Sequence, residues 1–156
     1  NTLDKNFSSI ASKKFSFRKH TEKTVQTYRF NQIIQKYDIN IKQIDFLKKR
    51  LIEGIYKECN HQMIFMHHPL FGLDPGEADS HMVLPKNQRS IILDLLDEYK
   101  VKAVFTGHWH ENNITKYENT ELITTGPISL SLGDEPSGIR LIEIDGEKLT
   151  HEYINL

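Results

Sequence analysis

At 156 residues, with 38% hydrophobic and 26% charged side chains and a formal net charge of -1, the chain has the composition of an ordinary globular protein. Collagen-like, fibrous and broadly disordered classes are excluded, and the near-neutral charge balance argues against nucleic acid as the default partner. The length suits one small domain with a core, or part of a larger one.

The chain opens on Asn1 rather than Met, with no charged-then-apolar leader, and a protein processed or cut from something longer is expected. Residues 1–20 are polar and Ser/Lys-rich, and only Phe15, Ser16 and Phe17 alternate, so a poorly ordered or peripheral start over 1–35 is expected. Lys13, Lys14, Arg18 and Lys19 make this stretch basic, which reads as a solvated face. Val25 to Phe30 alternates well enough for a strand. Asn40 with Gln43 can form a capping box, and Ile41, Ile44, Leu47, Leu51 and Ile55 recur at helical spacing, predicting a helix from about Ile41 to Glu58. Cys59 is the sole cysteine, which rules out an intrachain disulfide or thiolate metal cluster and fits a reducing, cytoplasmic setting.

Met63 to Met66 is a short apolar run, the pattern of a strand buried on both faces of a parallel sheet. It is far short of the roughly 20 residues a membrane span needs, so no membrane partner is expected. Pro69 stops it after His67 and His68. Leu70 to Pro85 carries Gly72, Pro75 and Gly76 among Asp74, Glu77 and Asp79, and a loop of that length usually has a task. Ile91, Ile92, Leu95, Leu96 and Tyr99 mark an amphipathic helix, and Val101 to Phe105 a second buried strand ending at Thr106 and Gly107. That order is α/β grammar with parallel strands and right-handed crossovers. Beyond Gly107 come shorter strands at Ile114 to Tyr117, Leu122 to Thr125, Ile139 to Ile144 and Lys148 to Tyr153, the last two joined at the hairpin signal Asp145-Gly146.

In open parallel sheets ligands bind beyond the carboxyl ends of the strands, where His67 and His108 stand. His67, His108 and His110 could converge there on a borderline cation such as Zn, Fe or Mn. An extended segment would put His108 and His110 on one side of the chain, and Gly107 would allow a sharp turn. His20, His61 and His151 read as hydrogen-bonded packing, and His81 as a surface residue of the acidic loop.

The segment MIFMHHPLF, Met63 to Phe71, resembles the H-x-P motif of calcineurin-like metallophosphoesterases, and FTGHWHENN, Phe105 to Asn113, resembles their closing G-H-x-H. The two histidines that open these motifs lie 41 residues apart with a helix between. The tail, from GPISLSLG to LTHEYINL, is similar to the calcineurin-like phosphoesterase domain-containing subgroup also called serine/threonine phosphatases. The resemblance implies the C-terminal part of a β-sandwich flanked by helices, in αββα layers, with 36–156 as the core portion of a domain present only in part. It also implies two divalent or trivalent metal ions (Mn, Fe or Zn) acting on a phosphate ester, with phosphoserine or phosphothreonine in proteins as the implied substrate. His67 and His108 would ligate one ion and His110 the other, with His68 beside the ligands and touching phosphate at most. Trp109 would be core, or pack against the site.

The resemblance also implies D-x-H or D-x-D, G-D-x-x-D and G-N-H-D/E motifs ahead of the H-x-P histidine, supplying the bridging aspartate and the general-acid histidine, and none of them precedes His67 in this sequence. No catalytic residue is therefore assigned. The expectation is a C-terminal fragment, inactive by itself, whose partner is the upstream half of the same domain. Without that half, the apolar strands would expose an edge and a face. Two alternatives are a non-catalytic interaction scaffold on the same fold and a small zinc protein using only the three histidines.

Overall fold

The computed structural model describes residues 37–156, and the basic stretch, the Val25–Phe30 strand and His20 lie outside them. The chain divides into compact units at Phe46/Leu47, and all that follows on packing concerns 47–156.

The first helix, α1, spans Tyr37–Tyr56, so Asn40 sits inside it rather than capping it, and the capping-box reading is corrected. It ends at Glu58, in left-handed backbone at φ 52°, where the Glu58 N–H donates to the Ile55 carbonyl and the Cys59 N–H to the Gly54 carbonyl. The second helix, α2, spans Lys86–Glu98 and ends the same way at Lys100, φ 54°, with the Val101 N–H on the Leu96 carbonyl. Both are Schellman closures without the usual glycine, which is why the sequence carries no stop signal there.

Strands β1 (Met63–Phe65), β2 (Ala103–Thr106), β3 (Asn113–Tyr117) and β4 (Thr120–Thr124) form one sheet in the order β1-β2-β4-β3. The first three of that order run parallel, as the α/β grammar requires, and β3 closes antiparallel on β4. A separate hairpin joins β5 (Gly138–Asp145) to β6 (Lys148–Asn155). Asp145 pairs with Lys148, so the turn residues are Gly146 and Glu147, and Gly146 takes the left-handed φ of 57° that the sequence signal anticipated.

β2 is buried along its whole length because it is central in the sheet. Ala103, Phe105 and Ile123 form a core cluster against which Met63 and the hairpin residues Ile142 and Leu149 pack. The alternate residues Val104 and Leu122 are buried on the other face, and α2 adds Ile92, Leu93, Leu95 and Leu96 to the buried apolar set. β1 departs from expectation. The apolar run predicts burial on both faces, but among the described residues β1 is the edge strand, and Phe65 is 65% exposed while stacking on Phe105 at 5.1 Å. The core, by contrast, is dense around β2, so among the described residues one of the two apolar runs, β1, lies at an edge and the other does not.

Candidate metal centre

The parallel register brings the histidines together. β1 pairs with β2 as Met63 to Ala103 and Phe65 to Phe105, and the ladder continues with the Met66 N–H on the Phe105 carbonyl and the Gly107 N–H on the His67 carbonyl. Two strands that end level with each other deliver His67 and His108 to one point at the carboxyl end of the sheet. His108 Nδ1 lies 3.1 Å from His67 Nε2. His68 joins them, its ring centroid 4.0 Å from that of His108 and 4.9 Å from that of His67. Ligand atoms of His67, His68 and His108 all lie within 4.8 Å of one another.

His110 goes elsewhere. Both His108 and His110 adopt left-handed backbone, φ 70° and 60°, while Gly107 does not, so the segment is coiled rather than extended. The sharp geometry expected of the glycine falls on the histidines, and a spacing of two no longer places the rings side by side. His110 Nδ1 faces the Leu130 carbonyl at 3.1 Å, and its own carbonyl accepts from the Leu132 N–H and the Ser131 hydroxyl. Two non-glycine residues in this region cost roughly 1–3 kcal/mol each, a strain that tends to collect at functional sites.

Tautomers follow from the partners. His108 Nε2 faces the His81 carbonyl at 3.0 Å, and a carbonyl only accepts, so Nε2 carries the hydrogen and Nδ1 presents its lone pair toward His67. A backbone carbonyl on the far nitrogen is how proteins orient an imidazole that serves as a ligand. Burial pushes His68 below the usual imidazole value, and the His108 and His67 rings push the same way. A neutral imidazole is the form that donates to a metal.

This donor set fits a metal ion. Two nitrogens held by one tetrahedral zinc stand roughly 3.3 Å apart given Zn–N bonds of about 2.0–2.1 Å, and the His67–His108 pair is separated by 3.1 Å. The carboxylates of the acidic loop are committed to its own backbone. Asp74 accepts from the Gly76 N–H, Glu77 from the Gly72 and Leu73 N–H groups, and Asp79 from the Lys86 N–H at the start of α2.

Other histidines serve packing, as expected. His61 meets the Gly146 carbonyl, and His151 sits between Arg140 and Glu121 with its ring edge-on to Phe105. His81 is exposed and contributes its carbonyl rather than its ring. Trp109 is a loop pin more than a core residue: its indole N–H donates to the Met82 carbonyl at 2.8 Å. Sequence reasoning missed Arg89. It is fully buried on α2, and the signal was an arginine three and four positions before Ile92 and Leu93, on the apolar face of the helix.

A mixed α/β architecture with histidines clustered beyond parallel strands is consistent with part of a metallophosphoesterase fold. No family model matches the chain. Its homologues are named serine/threonine-protein phosphatase CPPED1. The Bos taurus protein is 37% identical over 100 residues, 64% of this chain and 32% of its own length. Those of Mus musculus and Homo sapiens are each 32% identical over 73% of this chain, and 36% and 37% of their own lengths. The chain thus matches about a third of the length of these relatives. Among the described residues no helix is long and apolar enough to cross a membrane.

Proposed function

We propose that this chain is part of a metal-dependent phosphatase acting on phosphate esters, and that it supplies His67 and His108 to one metal ion and His110 to a second. The observation that carries the reading is the convergence of His67, His68 and His108, with ligand atoms within 4.8 Å, at the carboxyl end of parallel strands. The relatives' name adds serine and threonine phosphoesters in proteins as the substrate class. Ions of the Mn, Fe or Zn type would supply Lewis acidity toward phosphoryl oxygens and toward water. The chain's own part is to hold neutral imidazoles in fixed orientation. His108 is set by the His81 carbonyl and His110 by the Leu130 carbonyl, which leaves Nε2 as the atom His110 offers. His68, within the cluster, is placed to face substrate phosphate or to complete the ligand set.

The same reading makes residues 36–156 the core portion of a domain completed by an upstream half. That half would contribute the bridging aspartate and general-acid histidine and cover the open β1 edge at Phe65. A cytoplasmic location accords with Cys59, which is free and exposed. The test compares this chain with the full-length protein on p-nitrophenyl phosphate and a phosphoserine peptide, with Mn, Zn or Fe and with chelator. Metal-dependent turnover is expected from the full-length protein, lost in His67→Ala and His108→Ala, and none from this chain. Turnover that survives chelator, or hydrolysis by this chain alone, would overturn it.

A further inference from the structure

Arg89 is the largest fully buried side chain among the described residues, and no carboxylate among them lies within ion-pair distance of it. Burying a guanidinium costs several kcal/mol unless its donors are met. Here backbone carbonyls of the 70–85 loop meet them. Nη1 donates to the Pro75 carbonyl at 2.8 Å and the Glu77 carbonyl at 3.1 Å, while Nε and Nη2 both donate to the Leu84 carbonyl, at 3.3 and 3.1 Å. One side chain on a rigid helix therefore gathers both flanks of the segment that contains His81. The His81 carbonyl in turn receives the His108 Nε2–H, and the next carbonyl, Met82, receives the Trp109 indole N–H.

We propose that Arg89 is a positioning residue for the metal centre: by gathering the Pro75, Glu77 and Leu84 carbonyls it fixes the His81 carbonyl, and through it the tautomer and aim of His108. The inference rests on the metal-centre reading above. It makes the acidic loop a fixed support for a ligand rather than a mobile cover. A lysine at this position carries the charge but has its three donors on one atom, so it cannot span three carbonyls as the planar fork does.

The test titrates the 156-residue chain and Arg89→Lys with Co2+, following the visible absorption band, alongside 15N spectra that report the His108 tautomer. Arg89→Lys is expected to remain folded, to bind Co2+ about 10–100-fold more weakly, and to lose the uniform Nε2–H form of His108. Arg89→Lys with unchanged affinity and an unchanged tautomer overturns the proposal. Should Arg89→Lys fail to fold, hydrogen exchange in the wild-type chain decides: Co2+ is expected to slow the Leu84 and Glu77 amides, bonded to the Pro69 and Asp74 carbonyls, and unaltered rates overturn it. If the wild-type chain binds no Co2+ at all, the same pair of titrations is made on the full-length protein, where the upstream half completes the ligand set, and no binding there removes the metal-centre reading and this inference with it. Tight wild-type binding with an indifferent Arg89→Lys removes only the inference.

Discussion

Replacing Gly72 by alanine tests how tightly the loop is locked to the histidine motif. A Cβ at Gly72 would lie 2.5 Å from Trp109 Cη2 and 3.1 Å from Cζ2, closer than carbon atoms approach without displacement. The ring cannot swing aside freely, because its N–H is held by the Met82 carbonyl at 2.8 Å. Overpacking of this kind costs about 1–3 kcal/mol. Breaking the indole hydrogen bond to relieve it would cost a further 0.5–1.5 kcal/mol or so. Reduced backbone entropy in the unfolded chain returns roughly 0.4–1 kcal/mol. The net expectation is a loss of about 1–3 kcal/mol, read as a fall in the urea midpoint at unchanged slope. Gly107→Ala is the control, since a Cβ there meets nothing within 4 Å and its φ is not left-handed, so it should be neutral or slightly stabilising. Trp109→Leu opens the space, and combined with Gly72→Ala it should recover part of the loss as a favourable coupling. A Gly72→Ala protein as stable as wild type, or one whose defect simply adds to that of Trp109→Leu, would refute the steric argument.

Three further outcomes follow from the geometry. Because the folded state holds His68 below its ordinary value, the unfolded chain takes up a proton that the folded chain resists. Stability of the metal-free chain should therefore be complete above about pH 6.5 and fall as pH drops below it, and His68→Gln should flatten that slope in urea titrations across the range. Gly138→Ala should cost about 1–3 kcal/mol in the same assay, because a Cβ there would collide with the Ile154 backbone carbonyl, which cannot rotate away, and lie 2.7 Å from the Tyr153 ring. Lys100→Gly should raise the thermal midpoint by relieving a left-handed residue, a net gain of about 0.5–1 kcal/mol after the greater unfolded-state freedom of glycine, and an unchanged midpoint would mean that the closure of α2 is not strained.

Local sequence patterns located α1, the parallel strands β1 and β2 and the β5–β6 hairpin: apolar residues at helical spacing, short continuous apolar runs, and Asp145-Gly146. The His67–His108 pairing was also legible, since motifs that follow two strands of one parallel sheet must meet at its carboxyl end. What the sequence could not settle was anything that depends on neighbours in space. Whether Met63 to Phe65 is central or at an edge depends on which strands pair, and that exposes Phe65. Where the rings of His108 and His110 point depends on their left-handed backbone and on carbonyls of the loops around His81 and Leu130 that meet the rings. Arg89 stood in an apolar helical pattern, but its role appeared only when carbonyls of a loop close in sequence, bent back by tertiary packing, converged on its donors. Local propensity and periodicity are encoded residue by residue along the chain, whereas edge position, ring aim and the partners of a buried charge are set by contacts between segments.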